Sequence, residues 1–198
     1  TLDITNYMTE LSGSDGKTQW ITAESTEVNA TQLNAILNHL QTSHYRLAKD
    51  IDFSAVYDSN KKAYFNTFTG IGTDERPFKG ELDGRGFTIL FSRGTNTDTV
   101  VNFGLFKYIS GATISNLTLT TKGKDITTGE DRDYAIAVQD KTSDWGGAYN
   151  GGFAAVVLAN DNTLSHVRSN VTFKVMGQSE DTKTLYVGGL AGSVKSGT

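Results

Sequence analysis

Asp50 and Asp52 alternate about Ile51, so both carboxylates project from one face of an extended run, next to Lys49. Two carboxylates placed in this way can hold a divalent cation or divide acid and base work between them. Aspartate also bonds backbone amides at chain corners, and that structural reading outweighs the catalytic one. Asp83, one residue before Gly84, reads as a turn-former on the same grounds. A zinc-protease helix needs two histidines at i and i+4 with a glutamate beside the first. His39, His44 and His166 do not have that spacing and read as ordinary surface or corner residues. No catalytic residue and no metal ligand is assigned, and nothing calls for a cofactor. The chain has no cysteine, which excludes disulfides, thiolate metal sites and a cysteine nucleophile.

The binding candidates are aromatic. Trp145 and Tyr149 flank a Gly-Gly pair inside Lys122 to Gly151, the least repetitive stretch of the chain. Exposed aromatics on a loop commonly contact sugars or proteins. The structural alternative folds both rings down over the wall of the domain. Within the same stretch Tyr134, Ile136 and Val138 alternate, which predicts a hairpin or a flap strand.

The elements that must position these residues are strands. With 198 residues the chain is long enough for one β-rich domain with a proper core. Twenty-one glycines against one proline fit many strands joined by many turns. Apolar residues come in short runs, none long enough to span a membrane, so no membrane insertion is expected. A net charge of −4 argues against a nucleic-acid surface. Residues 1–30 form a polar lead-in. Leu33, Ile36, Leu37 and Leu40 then fall on one stripe and predict a short amphipathic helix over 31–41. Next, Tyr45, Leu47, Ile51 and Phe53 share odd parity and are expected to point inward.

Gly70 to Phe91 holds two alternating sets, Phe78/Gly80/Leu82 and Phe87/Ile89/Phe91, about Asp83-Gly-Arg-Gly86. Alone it reads as a β-hairpin. The repeat that follows overrides this. Gly104 to Leu119 has a second copy in Gly152 to Val167, with Thr113-Ile-Ser-Asn-Leu117 aligned on Thr163-Leu-Ser-His-Val167. A third copy opens at Gly188-Gly-Leu-Ala191. Self-similarity of short apolar strands and Gly/Asn turns predicts a stacked, parallel arrangement. Leu105, Ile109, Ile114, Leu117, Phe153, Val157, Leu164, Val167 and Leu190 are expected in one apolar stack.

The combination of Tyr45-x-Leu47 with Asp50-Ile-Asp-Phe53, Gly70-Ile-Gly72, Pro77-Phe78, Gly80, Leu82-Asp-Gly84, Gly86, Thr88-Ile89, Gly104-Leu-Phe106, Ile114, Asn116-Leu117 and Gly189-Leu-Ala-Gly192 resembles the GLUG-motif β-helix regions of bacterial surface proteins. These occur in adhesins and ahead of the catalytic domain in immunoglobulin A1 protease-like metalloproteases. The resemblance runs from about Thr31 onward. It implies an all-β, right-handed parallel β-helix on a secreted or cell-surface bacterial protein, and carries no catalytic residue onto these positions.

The expected architecture is therefore a β-helix over 31–198, with the 31–41 helix covering its first coil and 122–151 as an excursion. The third copy is cut short, so the chain is expected to be a fragment of a longer protein. The expected role is a non-catalytic stalk or an adhesion and host-contact module, with a host protein or glycan as partner. The alternatives are a carbohydrate-active β-helix of the lyase or glycosidase kind, or the non-catalytic part of a surface metalloprotease. An ice-binding face needs an unbroken Thr-x-Thr array; Leu117-Thr-Leu-Thr120 aligned with Val171-Thr-Phe-Lys174 breaks it at Lys174.

Overall fold

A computed structural model of the chain describes residues 8–10, 18–21, 44–47, 50–52, 57–58, 63–64, 70–91, 102–125, 128–138, 147–158, 161–175 and 184–195. The 31–41 helix, His39, Phe53 and Trp145 lie outside them. The described residues are all-β, with parallel sheets and no helix. The longest strands are Thr113–Thr120 and Thr163–Asn170. They run parallel with Ile114 opposite Leu164 and Leu117 opposite Val167. The aligned segments Thr113–Leu117 and Thr163–Val167 recognised in the sequence are thus register partners.

The same order repeats along the sheet. Thr18–Ile21 pairs with His44–Leu47, which pairs with Glu81–Asp83, which pairs with Thr113 to Ser115, each in parallel. Met8–Glu10 closes the other side of Thr18–Ile21 in the antiparallel sense. A second parallel row joins Ile51–Asp52, Thr88–Leu90, Thr118 to Thr120 and Arg168 to Asn170. A third joins Phe106–Ile109, Ala154–Val157 and Ala191–Val194.

Glu81–Asp83 and Thr88–Leu90 do not pair with each other. Both lie against the single strand Thr113–Thr120, one on each half. The Asp83 to Gly86 turn is therefore a corner within one course of the chain and not the end of a hairpin. Arg85 takes φ 52° there and Gly86 takes φ 84°. Asn116 and His166 occupy equal positions in the next two copies at φ 53° and 52°. A left-handed residue at the same place in consecutive copies lets each strand bend without losing its register.

Alternation explains the burial. Tyr45, Leu47, Ile51, Phe78, Leu82, Ile89, Ile114, Leu117 and Leu119 all belong to one buried cluster, while Glu81, Asp83 and Thr118 between them are only half-buried. Aromatics run through this core in two rows. Phe78 stacks on Phe106 at 4.5 Å with Tyr45 beyond it at 6.3 Å. Phe103 meets Phe91 and Phe173 edge-on at 5.4 and 6.0 Å. Of the residues expected in the apolar stack, Leu105, Ile109, Ile114, Leu117 and Phe153 are buried and Val157, Leu164 and Val167 pack partly against them. Leu190 departs from the expectation: it is 44% exposed, in the bend between Thr184–Gly188 and Ala191–Val194.

Two further expectations are corrected. Ile136 and Val138 are fully buried in a parallel pair of Ile136–Val138 with Phe173–Val175, so the alternation is that of a core strand, not of a flap. The local hairpin lies just before it, where Lys122–Lys124 pairs antiparallel with Asp131–Asp133. Leu90 and Tyr134 form a small buried cluster outside the main core, and Gly123 of the hairpin rests against the Leu90 side chain. The threonine comparison also shifts, since Thr118 and Thr120 face Arg168 and Asn170. The array is broken one strand earlier than Lys174, with the same consequence for ice.

His166 is exposed at φ 52°, where asparagine is more at ease than most side chains. Asn116, its counterpart, also donates from Nδ2 to Asp83 Oδ1 at 3.0 Å. His166→Asn is expected to stabilise the fold by about 0.5 kcal/mol through the easier left-handed backbone. Urea unfolding would show a raised midpoint at unchanged slope; a lowered midpoint would contradict it.

Candidate functional site

Of the carboxylates singled out for chemistry, Asp50 and Asp83 are bound to backbone amides, and the Asp52 side chain lies outside the described residues. Asp50 Oδ1 accepts the Thr88 amide at 2.8 Å, across the gap to the next copy. Asp83 Oδ1 accepts the Arg85 amide at 2.9 Å and the Asn116 amide group at 3.0 Å. Both are corner residues. Among the described residues there is no group of three or more His, Cys, Asp or Glu able to hold a metal ion. His44 lies in a strand and not in a turn, half-exposed with Nδ1 3.8 Å from Glu81 Oε2, and His166 stands at an exposed corner.

Two polar devices were not read from the sequence. The first ties the hairpin to the wall. Asp133 accepts the Thr121 hydroxyl on Oδ1 and the Thr172 hydroxyl on Oδ2, both at 2.7 Å, and Thr121 Oγ1 accepts the Thr172 amide at 3.0 Å. Thr121 is fully buried, and these bonds satisfy its hydroxyl in both directions. Around this anchor Lys122, Gly123, Lys124, Asp131, Arg132 and Asp133 line a cleft of about 510 Å3. Its charges are largely spoken for: Lys124 meets Asp131 at 2.5 Å, and Arg132 meets Asp125 at 2.6 Å while lying 4.9 Å over the Tyr134 ring.

The second device is a pair of buried asparagines. Asn102 Oδ1 accepts the Tyr149 amide at 2.8 Å, and Asn150 Oδ1 accepts the Phe103 amide at 2.9 Å. The residues thus cross-link the two copies just ahead of Gly104 and Gly152. The available signal was an asparagine two residues before the glycine that opens each copy. In the third copy the position opposite Asn150 is Val187, and the series stops. Replacing Asn150 by valine is expected to cost about 1–3 kcal/mol, the penalty for leaving a buried amide without an acceptor. Denaturant unfolding measures it; a loss below a few tenths of a kcal/mol would show that the Phe103 amide finds another partner.

Asn102 and Asn150 also set the strand that carries the aromatic candidate. Tyr149 lies in Gly147–Gly151, with Ala148 and Asn150 buried on either side of it, so its ring is on the opposite face. Gly147–Gly151 pairs in parallel with Thr184–Gly188, which places Tyr186 opposite Tyr149. The two rings stack at 4.9 Å with 13° between their planes. Tyr149 also packs on a second apolar cluster of Tyr108, Ala155 and Val156. Tyr186 is the more open ring, 44% exposed.

No family model, no curated protein and no solved structure matches the chain. The site is therefore read from its own geometry. Tyr149 is a half-buried ring with Tyr186 as its stacking partner, so neither acts alone. Two offset tyrosines on adjacent strands form a short aromatic ledge with hydroxyls that can bond a partner, the residue type most often found at protein and sugar contacts. Tyr186 was missed because its partner strand cannot be identified from local sequence.

Proposed function

We propose that the chain is a length of right-handed parallel β-helix from a secreted or cell-surface bacterial protein, working as a non-catalytic stalk or as an adhesion and host-contact module. The observation that supports this reading is the parallel register itself: Ile114 beside Leu164, Phe106 beside Ala154, and Ala154 beside Ala191 in successive copies. Stacked copies build an elongated wall with a regular surface, which suits spacing and contact. The GLUG-like residue pattern supplies the surface-protein setting. The Tyr149–Tyr186 ledge is the contact residue set, with a host glycan or protein as partner.

The reading is tested by coupling the 198-residue chain to beads and scoring attachment to glycan arrays and to host cells. Attachment that falls about tenfold on Tyr186→Ala, with folding retained by circular dichroism, is the expected result. Attachment unchanged by that substitution removes the ledge from the role. Release of new reducing ends from any polysaccharide incubated with the chain would overturn the non-catalytic reading in favour of a carbohydrate-active one.

A further inference from the structure

Asn150-Gly151 is the one Asn-Gly pair in the chain, and the fold demands both of its members. Asn150 is fully buried, with the Phe103 amide 2.9 Å from its Oδ1 and the Tyr186 carbonyl 3.5 Å from its Nδ2. A Cβ on Gly151 would stand 2.7 Å from Ala191 Cα and 2.7 Å from Gly192 N. Both are backbone atoms, so no larger residue fits. In the preceding copy Asn102 holds the matching place and bonds the Tyr149 amide, but there the next residue is Phe103. The difference matters chemically. A residue without a side chain leaves its own amide nitrogen open to approach the asparagine before it, and glycine gives that stretch the freedom to bend back.

We propose that Asn150 is a site of spontaneous deamidation that becomes reactive only when the chain unfolds, so that the pair makes a passing unfolding event permanent. In the unfolded chain the Gly151 amide nitrogen loses its proton to solvent base and attacks Asn150 Cγ. A new N–Cγ bond closes a succinimide ring, the Cγ–Nδ2 bond breaks, and the nitrogen takes up a proton from water and leaves as ammonia. Water then opens the ring at either carbonyl. One opening gives aspartate; the other gives isoaspartate, in which the main chain runs through the former side chain. The folded chain blocks the first step at both atoms. Gly151 N donates to Phe103 O at 2.9 Å, and the Asn150 carboxamide is held by the Phe103 amide. Neither product fits the site. Aspartate sets a charge in a fully buried place and turns an oxygen, in place of Nδ2, toward the Tyr186 carbonyl. Isoaspartate puts an extra carbon into the main chain, so Asn150 opposite Val187 and Gly151 opposite Gly188 cannot both keep register. Chemical change of the unfolded chain then outruns refolding. The inference rests on the contacts of Asn150 and Gly151, and not on the stalk or adhesion reading.

The test holds the 198-residue chain at one pH and temperature, either folded in buffer or unfolded in guanidinium chloride, and samples it over days. Peptide mapping by mass spectrometry follows the replacement of NH2 by OH at Asn150, with Asn102 as the internal comparison. The folded chain is expected to react at Asn150 at least about tenfold more slowly than the unfolded one, because reaction waits on opening. Within the unfolded sample Asn150 should react faster than Asn102. After dilution from denaturant, the fraction that regains the folded circular dichroism signal should fall in step with the fraction still carrying an intact Asn150. Asn150→Asp supplies one product directly and should unfold at lower denaturant than the parent, or not fold. Equal rates in the folded and unfolded chains, or full refolding of chains already converted at position 150, would each overturn the proposal.

Discussion

Phe106→Ala is expected to destabilise the fold by about 3–5 kcal/mol, the usual range for emptying a buried aromatic site. Phe106 is 1% exposed, stacks on Phe78, and lies in register with Ala154 of the next copy. In that column it stands between Ile71 of the preceding course and Ala154 of the next, and the alanine offers a methyl group that cannot swing in to fill the space. The stacking itself adds about 0.5–1.5 kcal/mol to the burial. A domain of ordinary stability holds about 5–15 kcal/mol in all, so this single change takes a large share. Phe106→Leu keeps most of the volume and is expected to cost under about 1.5 kcal/mol. Urea titrations of the two variants check the pair. If alanine costs no more than leucine, the site collapses freely and the column is not packed as described.

Gly104→Ala is expected to cost about 3 kcal/mol, at the upper end of what overpacking does. A Cβ on Gly104 would stand 2.5 Å from Phe106 O, 2.6 Å from Ala155 N and 2.9 Å from Ala154 C. All three are backbone atoms, and two belong to the adjacent parallel strand, so relief requires the strands themselves to part. Gly111→Ala is the control. Gly111 sits at φ 71° with nothing within 4 Å of its Cβ position. Only backbone strain is at issue there, worth about 1–2 kcal/mol. Thermal unfolding of the two variants should rank Gly104→Ala well below Gly111→Ala. The reverse order would mean that the opening glycine of each copy is there for conformation and not for close approach.

These two sites show what the sequence could convey. The glycine opening each copy, the in-register Thr113–Leu117 and Thr163–Val167 segments, and the inward set of Tyr45, Leu47 and Ile51 were all legible, because each depends on local alternation or on identical neighbours. Asp83 was legible too, since aspartate beside glycine bonds the nearest amides, whereas Asp50 reaches the Thr88 amide 38 residues on, a partner its local sequence does not name. What stayed hidden depends on partners at irregular distances. Bonds that join neighbouring copies span 33 residues at Asp83–Asn116, 47 at Phe103–Asn150 and 50 at Ala112–Asn162. Without a constant period, Ile136–Val138 could be recognised as a strand but not given its partner. For the same reason Tyr149 was visible as an aromatic on a glycine-rich segment, while Tyr186, which completes the ledge, was not. Asp133 illustrates the other limit. Nothing in Asp-Arg-Asp tells that one carboxylate gathers two threonine hydroxyls from separate segments and fastens a hairpin to the wall.

The parallel pairing also sets a clock on the ribosome. An antiparallel neighbour can close within a few residues, but the Ala112–Asn162 contact waits for 50 more residues to be made. At about 5–20 residues per second, a finished strand spends roughly 3–10 s with its edge open before its partner emerges. Hairpins such as Lys122–Lys124 with Asp131–Asp133 form on the microsecond scale, far inside that interval. The order of synthesis therefore limits the order in which successive copies can pair, since no parallel partner is available until its own copy has been made.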